Sequence, residues 1–300
     1  MTRAILKWVG RAAAGVLVLV VILAGVVYVA SERKLRKTYD TSVDSLHVPT
    51  DPASVARGEH LVRNVVNCTL CHGADLGGAV YSSSPALGTI AGPNLTRGKG
   101  GVGPDYTDAD YLRAIRRGVK PDGRSLIVMP SEVFTHISQE DMGAVLAYLR
   151  SAPPVDRDVP KSGFGPVGRA LLAAGKMNIL VAGKTPRLTP PLSVPRDPTP
   201  AYGKYLADIS GCHGCHGYGL SGGRVAGPPD LPPASNLTPA GIGSWTEADL
   251  VRALREGKRP DGSTLDEFMP WKVFRGMTDA EIHALWLYLS TVPSKPFGNK

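Results

Sequence analysis

The chain is short of cysteine, of aromatic residues and of the signatures of the common catalytic folds. Four cysteines occur in 300 residues, all in two short clusters, so no thiol remains for a disulfide or a lone nucleophile. Phe, Trp and Tyr make up 6%, while 35 glycines and 26 prolines consign much of the chain to loops. A domain of roughly 100 residues buries a limited share of its surface, so something besides side chains is expected to fill the interior. No Gly-rich dinucleotide fingerprint, P-loop or catalytic triad is found, which removes the usual nucleotide-dependent and nucleophilic enzyme classes.

What is present is a motif used twice. Asn67-Cys68-Thr69-Leu70-Cys71-His72 returns as Gly211-Cys212-His213-Gly214-Cys215-His216. C-x-x-C-H is the attachment signal for c-type haem. Two thiols on one helical turn each form a thioether to a porphyrin vinyl group, and the next histidine coordinates iron from one side. A four-cysteine zinc site and a thioredoxin-like redox pair are the competing readings. The pairs lie 144 residues apart, each with an adjacent histidine and no thioredoxin-like strand pattern. Haem attachment is therefore expected through Cys68, Cys71, Cys212 and Cys215, with His72 and His216 on iron. His213, opposite Thr69 in the repeat, is expected to face solvent. Two covalently attached haem c groups would fill the missing core. Their propionates offset part of the formal +8 charge, so no nucleic-acid partner is inferred from it.

Ala12 to Ala30 is an uncharged run of 19 residues, about 28 Å as a helix and close to the hydrocarbon thickness. The alternative is a secretory signal cleaved near Val29-Ala30-Ser31, but signal cores are normally only ~7–15 residues. Flanking charge does not decide orientation, with Arg3, Lys7 and Arg11 on one side and Arg33, Lys34, Arg36 and Lys37 on the other. Haem attachment does, since c-type maturation occurs outside the cytoplasmic membrane. The expectation is a single-pass protein of a bacterial cytoplasmic membrane with its haem domains in the periplasm.

The order expected is an anchor over 1–34, a polar tether over 35–53, a first haem domain over 54–154, a Pro-rich linker over 155–200 and a second haem domain over 201–296. A helix from Ala53 delivers the first cysteine pair, and 73–103 reads as loop. Thr107-Asp-Ala-Asp and Ser138-Gln-Glu-Asp open further helices. The second half repeats this plan: Asn94-Leu95-Thr96 returns as Asn236-Leu237-Thr238, Tyr106–Gly118 as Trp245–Gly257, and Ser138–Leu149 as Thr278–Leu289. The offset drifts only from 144 to about 140. The linker stretch 168–183 reads as packed across the two domains, or else as a membrane- or partner-binding segment.

The repeat also selects a second axial ligand. Met129-Pro130 aligns with Met269-Pro270, 57 and 53 residues after the respective histidines. Met142 and Met277 align with isoleucines, which marks them as packing positions, and Met177 lies in the linker. Met129 and Met269 are thus the expected ligands. Thioether ligation raises the potential and leaves no position for oxygen or peroxide. Asp266 and Glu267 precede Met269, where Ile127 and Val128 precede Met129, so the second haem is expected to have the lower potential if those carboxylates approach it.

With these motifs in place, the chain resembles the class I-type cytochrome c superfamily over about 55–155 and 200–295. It also resembles the haem domains in cytochrome subunits of membrane-bound alcohol and gluconate dehydrogenases, which carry three such domains against two here. The resemblance implies a mainly α fold: two tandem cytochrome c domains after one N-terminal transmembrane helix. It also implies terminal helices that cross, with Gly58 and Leu61 against Tyr148 and Leu149, and Gly203 and Leu206 against Tyr288 and Leu289. The function expected is that of a membrane-anchored electron carrier between a redox protein donor and acceptor. The alternatives are a non-catalytic cytochrome subunit of a dehydrogenase or terminal oxidase complex, and a dihaem enzyme such as a peroxidase or thiosulfate dehydrogenase.

Overall fold

The computed structural model describes residues 2–225 and 231–298. It is mainly helical, and it opens on α1 (Thr2–Arg36), a helix exposed over residues 3–26. Its apolar window is long enough to cross a membrane, with none of that window buried against protein.

The first half begins with α2 (Pro52–His60). Asp51 caps it, accepting from the Ser54 N–H, and Pro52 takes the first-turn position where its missing N–H costs nothing. The helix widens into a π turn over Leu61–Val65, whose apolar side chains are buried, and runs on to α3 (Cys68–His72). The segment read as loop contains a hairpin, β1 (Ala79–Ser84) and β2 (Gly88–Gly92). Its small and hydroxyl residues carry no strand alternation, and a bulge between Val80 and Ser82 breaks the register.

Next come α4 (Asp108–Arg117), α5 (Ser131–Phe134) and α6 (Gln139–Ser151). A capping box of Thr107 and Asp110 opens α4, and Gly118 closes it in the left-handed region. Helix α2 crosses α6 so closely that a Cβ on Gly58 would fall on the Ala144 carbonyl and reach Cβ of Tyr148 at 2.9 Å. The implied contact of Gly58 with Tyr148 is therefore present.

The linker is ordered and lies largely on the first half. β3 (Gly163–Phe164) extends the hairpin sheet, and α7 (Pro166–Ala173) packs on the end of α1. Further on, Val128 and Val181 donate to the Ile179 and Leu126 carbonyls, so the linker pairs with the segment before Met129. The polar stretch after α1 is also laid down on protein: Tyr39 donates to Gly123, and Val43, Leu46 and Val48 pack against the core.

The second half repeats the first: α8 (Pro200–Ile209), α9 (Cys212–His216), the short α10 (Pro239–Ile242), α11 (Glu247–Glu256), α12 (Trp271–Phe274) and α13 (Asp279–Thr291). Gly203 meets the Ala284 carbonyl as Gly58 meets Ala144, with Cβ of Tyr288 at 2.8 Å.

The halves join through a buried polar cluster. Arg57 grips Asp141 with two bonds of 3.0 Å and donates to Glu281 across the interface at 3.1 Å. His60 reaches the other Glu281 oxygen at 2.7 Å, and the Tyr205 hydroxyl donates to Asp141 at 2.8 Å. Burial alone would raise the Glu281 pKa. Hydrogen bonds from His60 and the Thr278 N–H, with the charges of His60 and Arg57, outweigh it and hold the carboxyl at about 2 against an ordinary 4.5. A depressed folded pKa contributes stability above about pH 4.5 that disappears as pH falls toward 2, of order 3 kcal/mol in all. Urea unfolding between pH 7 and pH 3 should therefore show a steep acid limb in the native chain. Glu281→Gln should flatten it while lowering stability at pH 7 by about 2–3 kcal/mol; an unchanged acid limb would mean Glu281 does not carry it.

Candidate functional site

Each C-x-x-C-H turn is launched by a residue in the left-handed region, Asn67 at φ 57° and Gly211 at φ 77°. Glycine adopts this conformation freely, and asparagine is among the few other residues that tolerate it. Directly after each histidine, Gly73 and Gly217 take φ 78° with extended ψ, a conformation reserved for glycine. The chain then folds back identically: Gly78 N–H donates to the His72 carbonyl at 2.7 Å, and Gly222 N–H to that of His216 at 2.9 Å.

The histidines are held the same way. His72 Nδ1 lies 2.9 Å from the Pro93 carbonyl, and His216 Nδ1 lies 2.7 Å from the Ser235 carbonyl. A carbonyl only accepts, so Nδ1 carries the proton and Nε2 keeps its lone pair. Burial lowers both pKa values, which keeps the rings neutral and able to bind a metal. The accepting carbonyls sit in matching scaffolds. Asn94 takes Thr96 N–H and Oγ1–H on its oxygen and donates to Val155 O at 2.7 Å; Asn236 does the same with Thr238 and Lys295 O at 2.8 Å.

Burial pushes the Cys68 and Cys212 thiols up to about 12. Without a bound group they are protonated, as burial in an apolar pocket requires. Among the described residues no three His, Cys, Asp or Glu side chains gather as a metal site, so the two cysteine pairs do not form the four-cysteine alternative.

Cys68, Met129, Cys212 and Met269 are all partly buried against the apolar core, which is continuous through the two halves. Both Met-Pro turns have one shape, with Pro130 at ψ 56° and Pro270 at ψ 46°, and with Ser131 and Trp271 N–H groups donating to the methionine carbonyls at 2.8 Å. Val128, just before Met129, is held at φ 66°, an outlier for a β-branched residue. Met142 and Met277 are fully buried packing residues.

The donor set fits a c-type haem. Each half offers two thiols, an imidazole with Nε2 available and a thioether packed on the apolar core. The Trp271 indole N–H, two residues past Met269, is buried without an acceptor among the described residues, as the edge of a carboxylate-bearing group would explain.

Two expectations change here. His213 does not simply face water: it pairs with Asp208 at 3.0 Å and stacks on Tyr218. Asp266 and Glu267 are exposed, with Glu267 paired to Lys272, so water screens the charge that was to lower the second potential. The carbonyls of Pro93 and Ser235 were not visible as functional groups, although the repeated glycine after each histidine and the repeated Asn-Leu-Thr were signals of this scaffold.

The comparisons agree with this geometry. Residues 55–153 match the cytochrome c family model. The chain is 29% identical to the fructose dehydrogenase cytochrome subunit of Gluconobacter japonicus over 82% of its length. It is 30% identical to the cytochrome c subunit of the quinone alcohol dehydrogenase of Gluconobacter oxydans over 83%. It is 32% identical to the gluconate 2-dehydrogenase cytochrome c subunit of Pantoea cypripedii over 78%. In each case it spans 56% of the relative.

Asn94→Ala tests the scaffold. It strips partners from Thr96 and the Val155 carbonyl in a site with no exposure, at a cost of about 2–3 kcal/mol. Thermal unfolding should show that loss; a change under about 0.5 kcal/mol would mean the bonds are replaced by water.

Proposed function

We propose, from the cytochrome c family domain that this chain carries, that it binds two haem c groups and passes single electrons as a membrane-anchored cytochrome subunit working with a dehydrogenase. The observation that carries this reading is the doubled attachment turn, with each histidine oriented by a backbone carbonyl in the same scaffold. Cys68, Cys71, His72 and Met129 would hold one group, and Cys212, Cys215, His216 and Met269 the other. When bound, the haems supply reversible one-electron chemistry.

The protein's own part is to orient and shield. The Pro93 and Ser235 carbonyls fix each ring and raise the basicity of its Nε2. The Met-Pro turns present a thioether from a hydrogen-bonded segment, strained at Val128 in the first half, which favours a filled sixth position and a relay over peroxidase or thiosulfate dehydrogenase chemistry. Relatives that serve fructose, alcohol and gluconate dehydrogenases support a dehydrogenase as donor over a terminal oxidase as partner. Since haem c is attached outside the cytoplasm, α1 would leave both halves on the periplasmic side of a bacterial cytoplasmic membrane.

Denatured protein should keep two haems per chain through acid-acetone extraction, and replacing Cys212 and Cys215 together by alanine should leave one. Extraction of the haem from the native sequence would refute covalent attachment.

The reduced native protein should bind little carbon monoxide. Met129→Ala should open only the first haem and Met269→Ala only the second. Full carbon monoxide binding by the native chain would place the enzyme reading first for that half.

A further inference from the structure

The contacts between α1 and α7 set a direction. The Arg169 guanidinium lies over the Tyr28 ring at 4.5 Å and donates to Ser31 Oγ at 3.0 Å and Glu32 at 3.1 Å. Lys34, one turn further along α1, caps the other end of α7 through the Leu172 and Ala173 carbonyls at 2.8 and 3.0 Å. The two helices therefore run alongside in the same sense, and the N-terminus of α7 points back toward the apolar run. Tyr28 sits within the last turn of that run, so Arg169 is already level with its end. Val167 lies about 3 Å closer to the apolar run if the rise of a helix is followed.

The hairpin tip is fastened to this same end. Val167 and Gly168 N–H groups donate to the Ala86 carbonyl at 3.0 and 3.2 Å, and Gly165 donates to Leu87 at 3.1 Å. Leu87 is 46% and Val167 47% exposed. From Ala79 to Gly92 there is not one charged residue. An uncharged apolar tip beside a polypeptide anchor, at the level where the anchor leaves its apolar run, is suited to the lipid interface.

We propose that the β1–β2 tip and the first turn of α7 form a second membrane contact, seated in the lipid headgroup region beside α1. This rests on reading α1 as membrane-spanning. The single attachment would then become a two-point one, with Arg169 and Lys34 bracing the angle between anchor and haem-binding body.

The test uses the full-length holoprotein in phosphatidylcholine liposomes. Nitroxides are attached singly at V18C, L87C, V167C and the exposed linker site L192C, after an unchanged visible spectrum has shown that each variant is folded. Accessibility to oxygen, which partitions into lipid, is compared with that to a water-soluble nickel chelate. The labels at Leu87 and Val167 should show an oxygen-to-nickel ratio between the high value at Val18 and the low value at Leu192. If they match Leu192 while Val18 reads as lipid-exposed, the anchor stands and the second contact is wrong. A water-like Val18 would overturn both. Labels at Leu87 and Val167 shielded from both reagents would show protein covering the tip and overturn lipid as its occupant.

Discussion

Arg57 is the residue on which the placement of the two halves depends. Its guanidinium, with a side chain only 13% exposed, lies between the carboxylates of Asp141 from its own half and Glu281 from the other. Taking these groups out of water costs several kcal/mol per ion, which only near-complete hydrogen bonding offsets. That condition is met: both acids sit at the third position of a helix, where Ser138 and Thr278 cap the first turn, and each has further partners in Tyr205 and His60. The positions are related by the repeat. Arg57 and His60 on α2 correspond to Tyr202 and Tyr205 on α8, and Asp141 corresponds to Glu281. A second arginine would leave surplus positive charge in the interface; an arginine and a histidine from one half and two phenols from the other satisfy two acids. The asymmetry ties unlike halves together.

This interface also brings the two sites into mutual contact. Behind Met129-Pro130, Val133 packs 3.7 Å from where a Cβ on Gly211 would stand, at the entrance to the second attachment turn. Behind Met269-Pro270, Gly276 lies against Asn64, just ahead of the first attachment turn. Each methionine segment thus buttresses the other half's cysteine segment. Helices α5 and α12 are too short to stand alone, so their order depends on that packing and on the ion cluster beside it.

How much of this was legible follows from the range of the signals. The repeat, the helices with their caps and the packing role of Met142 and Met277 are encoded in local pattern or in register between halves, while the close crossing at Gly58 and Gly203 came from the family resemblance. The hairpin was not: AVYSSSPALGTIAG has neither alternation nor a two-residue turn signal, and it becomes a sheet only because β3 and α7 cover it. The Arg57 cluster was not either, because it joins residues 84 and 224 positions apart whose only local trace is helix capping. His213 looked exposed by comparison with Thr69, but a histidine reaches Asp208 where a threonine has nothing comparable to offer.

The two methionine turns show where a duplicated unit is free to diverge. From the methionine carbonyl onward their backbone bonds are the same, whereas the Met129 N–H donates to Ile127 and the Met269 N–H to Asp266. Their surroundings differ too. The first is overlaid by linker residues Ile179 to Val181, whose pairing with Leu126 to Val128 holds Val128 in its strained conformation. Among the described residues the second has no such pairing, and Asp266 and Glu267 stand in water where Leu126 and Ile127 are half-buried. Acidic residues beside Met269 are tolerated because nothing packs on them. At Met129 the same residues would be pressed against the linker and would have to shed their hydration. The sequence difference that suggested unequal charge at the two irons is thus better read as a difference in backbone pairing, with the first turn tied to linker residues Ile179 to Val181.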